Sequence, residues 1–288
     1  MNKANLSGRK RDERRAAYLF VAPAVILLIA FLVVPMIYTV YFSGFKYQIM
    51  RPDATSFIAF DNYKKLFSDK NFWAALKNTV YFTVIVVPVQ CALALGLALL
   101  VSKKFRGVSI FRTMYFAPQL TSMVVISVLW SVLYNANPNT GLINSILVSL
   151  GMSPIKFLSD ANTAMNSIIF MSAWQGAGYQ MMIFLAGLQT IPRHLYESAR
   201  LDGCTAWESF WKITFPLLTP MLLMNTVYSI IDYCTSSTNP VIRLVNEQTS
   251  AMNFGYASGL TWMYLVVVLA VVGIVYWVLN RRTVYMGG

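Results

Sequence analysis

Apolar residues in this chain come in long runs rather than in stripes. Six segments are nearly continuous in apolar side chains: Tyr18 to Phe42, Val80 to Val101, Thr113 to Tyr134, Ala164 to Leu188, Phe215 to Tyr233 and Leu260 to Leu279. A helix needs roughly 20 such residues to cross the hydrocarbon core of a bilayer. Only helices and closed barrels satisfy every backbone group in lipid, and these runs lack the alternation that barrel strands require. The pattern predicts an all-α integral membrane protein with six transmembrane helices. A basic tail over residues 1–17, expected to be a disordered or interfacial lead, precedes a membrane domain over 18–288. The fifth run is the least apolar.

Two stretches between runs have helical periodicity. Phe60, Tyr63, Leu66, Phe67, Trp73 and Leu76 fall among Lys and Asp at helical spacing, which predicts an amphipathic cover over the helix ends, with a helix lying on the membrane surface as the alternative. Leu142, Ile143, Ile146, Leu147 and Leu150 share one face between the turn signals Asn137-Pro138-Asn139 and Gly151-Met152-Ser153-Pro154, which predicts a short surface helix.

Composition strengthens the membrane reading. Hydrophobic residues make up 57% of the 288 positions and charged residues 12%, too little polar surface for a soluble domain of this length. The net charge of +12 would suggest nucleic acid in a soluble protein. Here the basic residues sort by loop instead. Lys3, Arg9, Lys10, Arg11, Arg14 and Arg15 precede the first run. Lys103, Lys104, Arg106 and Arg112 follow the second, Arg193, Arg200 and Lys212 the fourth, and Arg281 and Arg282 the last. The segment between the first two runs also carries Asp53, Asp61 and Asp69. Cytoplasmic loops collect Lys and Arg, so both termini are expected in the cytoplasm, and no nucleic-acid partner is expected. The first run is too long for a signal-peptide core and lacks a small-x-small site, so it reads as a retained anchor. Cys91, Cys204 and Cys234 show no disulfide or zinc spacing, and His194 has no clustered partner, so no metal site is predicted.

The stretch from Gln189 to Pro216, between the fourth and fifth runs, is too long for a plain turn. Thr190 is placed to cap a first helix with Pro192 in its first turn. Leu195, Ala199 and Asp202 share a face, and Gly203 suits a left-handed turn that ends the helix. Thr205 and Glu208 have capping-box spacing for a second helix. Trp207, Phe210 and Trp211 are placed to hold that helix against the membrane, and Pro216 enters the fifth run. The form is that of a docking knob: a short rigid helix with a carboxylate and small residues. An ordinary helix-loop-helix connection is the alternative.

Glu197-Ser-Ala-Arg-Leu-Asp202-Gly203 followed by Ile213-Thr-Phe-Pro216 resembles the EAA motif of permease subunits of ABC importers, with its spacing matched in full. Ser198 replaces the first Ala, Cys204 the Ala after Gly, and Phe215 the Leu before Pro. The wider pattern of Pro192, Tyr196, Phe210 and Pro220, with Phe60-Asp-Asn-Tyr-Lys-Lys-Leu-Phe, is similar to carbohydrate permeases of the maltose-transporter type. The resemblance covers nearly the whole chain. It implies that Tyr196, Glu197, Ser198, Ala199, Asp202, Gly203, Ile213 and Pro216 couple the chain to a separate ATPase, whose cleft receives the helix around Glu197. No Gly-rich loop followed by Lys-Ser or Lys-Thr occurs, so no cofactor is expected in this chain. ATP and magnesium would sit on the partner ATPase. Implied partners are a second, related permease forming a heterodimer, two ATP-binding subunits and an extracellular solute-binding protein. The implied location is the plasma membrane.

Polar residues inside spans are costly and face a cavity or another helix. Asn225, Tyr228, Ser229 and Asp232 share one face of the fifth run, which Ser236 continues. Trp174, Gln175, Gly176 and Tyr179 cluster in the fourth, and Pro118, Gln119 and Ser122 interrupt the third. Hydroxyls, amides and aromatic faces are what a sugar site requires, and in the maltose-type family the corresponding spans form the site. The same residues suit interhelical hydrogen bonding equally well. The expected function is a permease subunit of an ATP-driven sugar or oligosaccharide importer working by alternating access. An importer of a non-sugar solute and an ion-coupled secondary transporter are the rivals. An intramembrane enzyme would need an acid–base cluster at membrane depth that the chain lacks.

Overall fold

The computed structural model describes residues 3–47, 55–103 and 106–283, with side chains described from residue 15 onward. Asp53 and Lys104 lie outside the described residues, as do the side chains of Lys3, Arg9, Lys10, Arg11 and Arg14. The chain is mostly helical. Helices α1 (Lys3–Leu28) and α2 (Val34–Ser43) run together through a widened π turn at Ile29–Val33. Strands β1 (Phe45–Lys46) and β2 (Ser56–Phe57) come next, then α3 (Asp61–Ser68), α4 (Lys70–Ser102), α5 (Val108–Leu120), α6 (Met123–Leu133), α7 (Leu142–Ser149) and α8 (Ala161–Thr190). Beyond these come α9 (Arg193–Leu201), α10 (Ala206–Ser209), a second π turn (Phe210–Thr214), α11 (Phe215–Leu217), α12 (Thr219–Thr235), α13 (Pro240–Ser250) and α14 (Phe254–Asn280).

Three described helices are long and apolar enough to cross a membrane: Arg15–Ser43, Lys70–Ser102 and Phe254–Asn280. Two bent pairs bring the number to five if each is one span. At 30 residues α8 has the length to cross, but its Asn, Gln and Ser side chains make it more polar than those. The third expected span is not straight: α5 and α6 meet at 103°. Thr121 is extended there and its hydroxyl donates back to the Ala117 carbonyl at 3.1 Å. The fifth expected span also breaks, at Leu218, with a 60° bend. Both π turns precede a proline, Pro35 and Pro216. A proline ring has no N–H and crowds the carbonyl four residues back, which a wider turn relieves.

The basic tail is helical from Lys3 and runs without a break into the first expected span. The amphipathic stretch expected over 60–76 is split: α3 ends at Ser68, and Trp73 and Leu76 belong to α4. The short surface helix expected over 142–150 forms as α7, but its deepest residue is polar. Asn144 is buried, donates to the carbonyls of Asn135 and Ile155 at 2.7 and 2.9 Å, and accepts from the Ile155 N–H at 2.8 Å. Leu142, Ile146 and Leu150 remain exposed.

The chain divides into two compact units, Met1–Ala75 with Pro240–Val267, and Leu76–Asn239 with Val268–Gly288. In the first, Asn62 donates to the Ser43 and Phe45 carbonyls, Tyr256 donates to Asp69 at 2.6 Å, and Lys65 lies over the Tyr256 ring. In the second, Ala94 and Ala98 of α4 pack with Ala177, Met181 and Phe184 of α8. Small side chains let helices approach closely. Gly178 shows how closely, since a Cβ there would strike the Tyr115 carbonyl of α5.

Candidate functional site

The segment between α8 and α12 holds one of the two candidate sites. Ile191 and Pro192 are extended, so α9 starts after Pro192. Thr190 does not cap it: its hydroxyl donates back to the Gly187 carbonyl at 2.8 Å. The end of α9 is closed by Gly203 at φ +79°. The Cys204 N–H donates to the Ala199 carbonyl at 2.9 Å and the Gly203 N–H to the Arg200 carbonyl at 3.1 Å. These are the paired bonds of a Schellman turn.

Helix α10 begins two residues later with the expected capping box. The Glu208 N–H donates to the Thr205 hydroxyl oxygen at 3.2 Å, and the Thr205 N–H donates to Glu208 Oε2 at 2.8 Å. That backbone bond holds the Glu208 carboxyl below its ordinary pKa, with help from the Thr205 hydroxyl and nearby Lys212. One helix end and the next helix start are thus both fixed within seven residues, which makes the corner stiff.

The corner is tied to the membrane helix beyond it. Tyr196 Oη and Thr214 Oγ1 are 2.9 Å apart, linking α9 to the π turn that leads into α11 and α12. Thr214 and Ala199 are buried, with Ile213 and Pro216 partly buried beside Thr214. Glu197, Ser198, Asp202 and Gly203 are exposed, and Leu201 is 90% exposed. Trp207, Phe210, Trp211 and Phe215 form a connected aromatic patch with centroid separations of 5.0 to 6.3 Å, and Trp207 is 70% exposed. Aromatic rings of this kind suit the headgroup layer of a membrane.

The second candidate site lies along α8 and α12. The polar face of α12 divides in two. Asn225 and Ser229 point inward, where Ser229 accepts from the Gln180 amide and Asn225 donates to the Gln180 carbonyl at 3.4 Å. Gln180 and Asn225 are fully buried. Tyr228 and Asp232 are exposed, and the Tyr228 ring packs on Tyr179 of α8 at 5.1 Å. Trp174 is partly exposed and contacts Trp130 of α6 at 5.5 Å. Gln175 and Gly176 are partly exposed, and a Cβ on Gly176 would strike the Gln90 side chain of α4. Gln119 lies in the last turn of α5, and Ser122 is the exposed residue before α6, so both sit at the bend.

Three members of this polar system escaped the sequence reading: Gln180, Gln90 and Tyr233, whose hydroxyl donates to Gln90 Oε1 and to the Ser172 carbonyl. Gln180 lies one helical turn beyond Gly176, and that spacing was the available signal.

Comparison with known proteins adds a family. Residues 90–283 match the model for the binding-protein-dependent transport system inner membrane component. The probable ABC transporter permease protein YurN of Bacillus subtilis is 35% identical over 272 residues, covering 88% of this chain and 92% of that protein. The lactose transport system permease protein LacF of Rhizobium radiobacter is 36% identical over 228 residues, covering 78% of this chain and 74% of its own. The fold is similar to a chain in the crystal structure of a bacterial alginate ABC transporter in complex with an alginate pentasaccharide-bound periplasmic protein. That match has a TM-score of 0.80 at 21% identity and covers 96% of this chain and 97% of the other.

Proposed function

The chain belongs to the family of binding-protein-dependent transport system inner membrane components, and on that premise we propose that it is a permease subunit of an ATP-driven importer whose cargo is a sugar or oligosaccharide. It is a multi-pass membrane protein of the inner-membrane class. The observation that carries the coupling part is the corner at 193–216: a helix with Glu197 and Leu201 laid bare, locked by Gly203 and Thr205, and tied through Tyr196 to the entry of α12. In this reading the chain crosses the membrane six times, with α8 and the two bent pairs as spans and both termini in the cytoplasm. Tyr196, Glu197, Ser198, Ala199, Asp202, Gly203, Ile213 and Pro216 form the coupling surface and its brace.

ATP and magnesium bind to two ATP-binding subunits. Closing of these subunits moves α9, and the Tyr196–Thr214 link carries the displacement into α12. The spans then alternate between inward and outward openings, while a loaded solute-binding protein delivers cargo to a heterodimer of this chain and a related permease. The saccharide part rests on relatives such as the lactose permease, on the packed Tyr228 and Tyr179 rings with exposed Asp232 one turn along α12, and on the partly exposed Trp174 ring. Aromatic faces stack on apolar sugar faces, and carboxylate and amide groups bind hydroxyls. Gln119, Ser122, Gln175 and Gly176 extend this surface, while Asn225 and Ser229 hold its helices together. The test is uptake in vesicles containing the assembled complex. Uptake of a saccharide that depends on ATP and on the binding protein supports the reading. Uptake driven by an ion gradient alone overturns it.

A further inference from the structure

Helix α4 ends at Ser102, and α5 starts after Gly107, which is held at φ +86°. The elbow between them lies at the same end of the α4–α8 pair as the coupling corner. Gln90 meets Gly176, and from there the two helices run side by side through Ala94, Ala98 and Val101 on one and Ala177, Met181 and Leu185 on the other.

The two surfaces at this end differ in charge. The corner is balanced, with Arg193, Arg200 and Lys212 against Glu197, Asp202 and Glu208. The elbow carries Lys103, Arg106 and Arg112, and no Asp or Glu occurs between Asp69 and Asp160. Among the described residues the ion pairs are Lys64–Asp61 and Lys212–Glu208, neither of them at the elbow. Lys103 and Arg106 are exposed, whereas Arg112 is partly buried. Its Nη2 donates to the Val101 carbonyl at 2.9 Å across the end of α4, and its Nε is buried without an acceptor among the described residues. The bond fixes the guanidinium in place, and the C-terminal dipole of α4 offsets part of its charge. A fixed cation that has lost part of its hydration still calls for a full anion.

Beside it α5 exposes Ile110 and Met114, one turn apart, with Phe111 next to them. Apolar side chains among cations, with no acid nearby, suit a segment seated at the surface of an anionic membrane. A protein partner would have to supply a uniformly acidic face. An anionic leaflet supplies that charge together with acyl chains for Ile110 and Met114.

We propose that the elbow between α4 and α5 is a binding site for an anionic phospholipid, with Arg112 and Arg106 on the headgroup phosphate and Ile110 and Met114 among the acyl chains. A guanidinium matches two phosphate oxygens at once. The site is separate from the cargo path, and it rests on the permease reading only for the leaflet: where α9 meets an ATPase in the cytoplasm, the lipid belongs to the cytoplasmic leaflet.

The experiment uses the assembled transporter carrying Ser109→Cys, at an exposed position, in a Cys204→Ser background, since Cys91 and Cys234 are buried. Accessible thiols of the other chains are removed. The new thiol carries an environment-sensitive fluorophore, and the complex in detergent is titrated with phosphatidylglycerol or phosphatidylcholine. Phosphatidylglycerol should saturate the signal at a concentration at least roughly fivefold lower, the preference that one basic residue near a membrane surface confers. Lys103→Gln with Arg106→Gln, both at exposed positions, should weaken phosphatidylglycerol roughly twentyfold and leave phosphatidylcholine unchanged. Arg112→Gln should weaken it at least roughly fivefold. Because Arg112 also holds the end of α4, the double variant decides if that one does not assemble. Equal affinity for the two lipids overturns the proposal, as does a double variant that binds phosphatidylglycerol like the wild type. Equal binding of glycerol phosphate, which has the headgroup chemistry without acyl chains, overturns the lipid assignment. Loss of the ATP-binding subunits from the double variant on gel filtration overturns it too, by making the elbow a protein-docking surface. ATP-dependent saccharide uptake by the same preparation tests the importer reading separately, since it can fail while the lipid preference persists.

Discussion

Gly203 is the position where backbone chemistry alone should decide whether the corner works. It holds φ +79°, and nothing lies within 4 Å of where a Cβ would be. Substitution there is therefore a conformational cost without a steric one. An L-residue in the left-handed region loses about 1–2 kcal/mol relative to glycine, Asn less because its short polar side chain tolerates that region, and a β-branched residue more. Coupling should consequently follow the order Gly, Asn, Ala, Val. A cost of about 1.4 kcal/mol is roughly a tenfold shift of the corner toward other conformations. Gly203→Asn should transport at near wild-type rates. Gly203→Ala should lose several-fold, and Gly203→Val at least roughly tenfold, with ATP hydrolysis by the complex no longer stimulated by loaded binding protein. The assay is paired measurement of uptake and ATP hydrolysis in proteoliposomes. Equal uptake for the Asn, Ala and Val variants would refute the argument, because it would mean that the left-handed turn is not what holds α9 and α10 together.

Tyr196→Phe removes the 2.9 Å link to Thr214 but keeps the ring. Transport should fall several-fold, with complex assembly unchanged on gel filtration. Thr205→Ala deletes the capping box and should cost about 1 kcal/mol locally, read as faster protease nicking between α9 and α10. The lowered Glu208 carboxyl adds a pH signature: a depressed acid stabilises above its ordinary pKa and stops doing so as pH falls through its folded value. Nicking should thus be flat from pH 8 to about 5 and rise only below the ordinary carboxylate range, whereas a rise near pH 7 would exclude Glu208 as the group responsible. Asn225→Ala removes the long 3.4 Å bond to the Gln180 backbone carbonyl and leaves a void between buried helices, and should lower unfolding free energy by about 0.5–1.5 kcal/mol, seen as a reduced Tm in detergent. Asp232→Ala, at an exposed position, should leave Tm unchanged and lower saccharide-stimulated ATP hydrolysis.

The corner was the part most legible in the sequence, because its determinants are local. Gly203 required a positive φ, and Thr205 with Glu208 specified a cap by spacing alone. Thr190 misled because Ile191 and Pro192 are extended, a choice made by the proline rather than by the capping residue. The bend between α5 and α6 had a mark in the sequence, the interruption at Pro118, Gln119 and Ser122, but a polar interruption inside an apolar run fits a cavity lining as well as a break at Thr121. The polar face of α12 was visible, but its division was not. Whether Asn225 faces Gln180 or a channel depends on a partner 45 residues away in sequence, and hydrophobic periodicity carries no such pairing. Helix α13 was missed for a related reason: the Ser236–Pro240 stretch reads as a loop, and Pro240 opens the helix. The strand pair β1–β2 has two residues per strand, too short to leave a period-two signal.

The central claim is that the bare face of α9 is a docking surface for a separate ATPase. Leu201→Cys in a Cys204→Ser background places a thiol at its most exposed apolar position, with the remaining Cys91 and Cys234 buried. In membranes containing the assembled complex, a short thiol-attached photocrosslinker on this residue should join it to the ATP-binding subunit, with a yield that changes on adding ATP and magnesium. A cysteine at Leu201 that joins only to lipid-facing residues or to no protein at all, in a complex that still transports, would contradict the account.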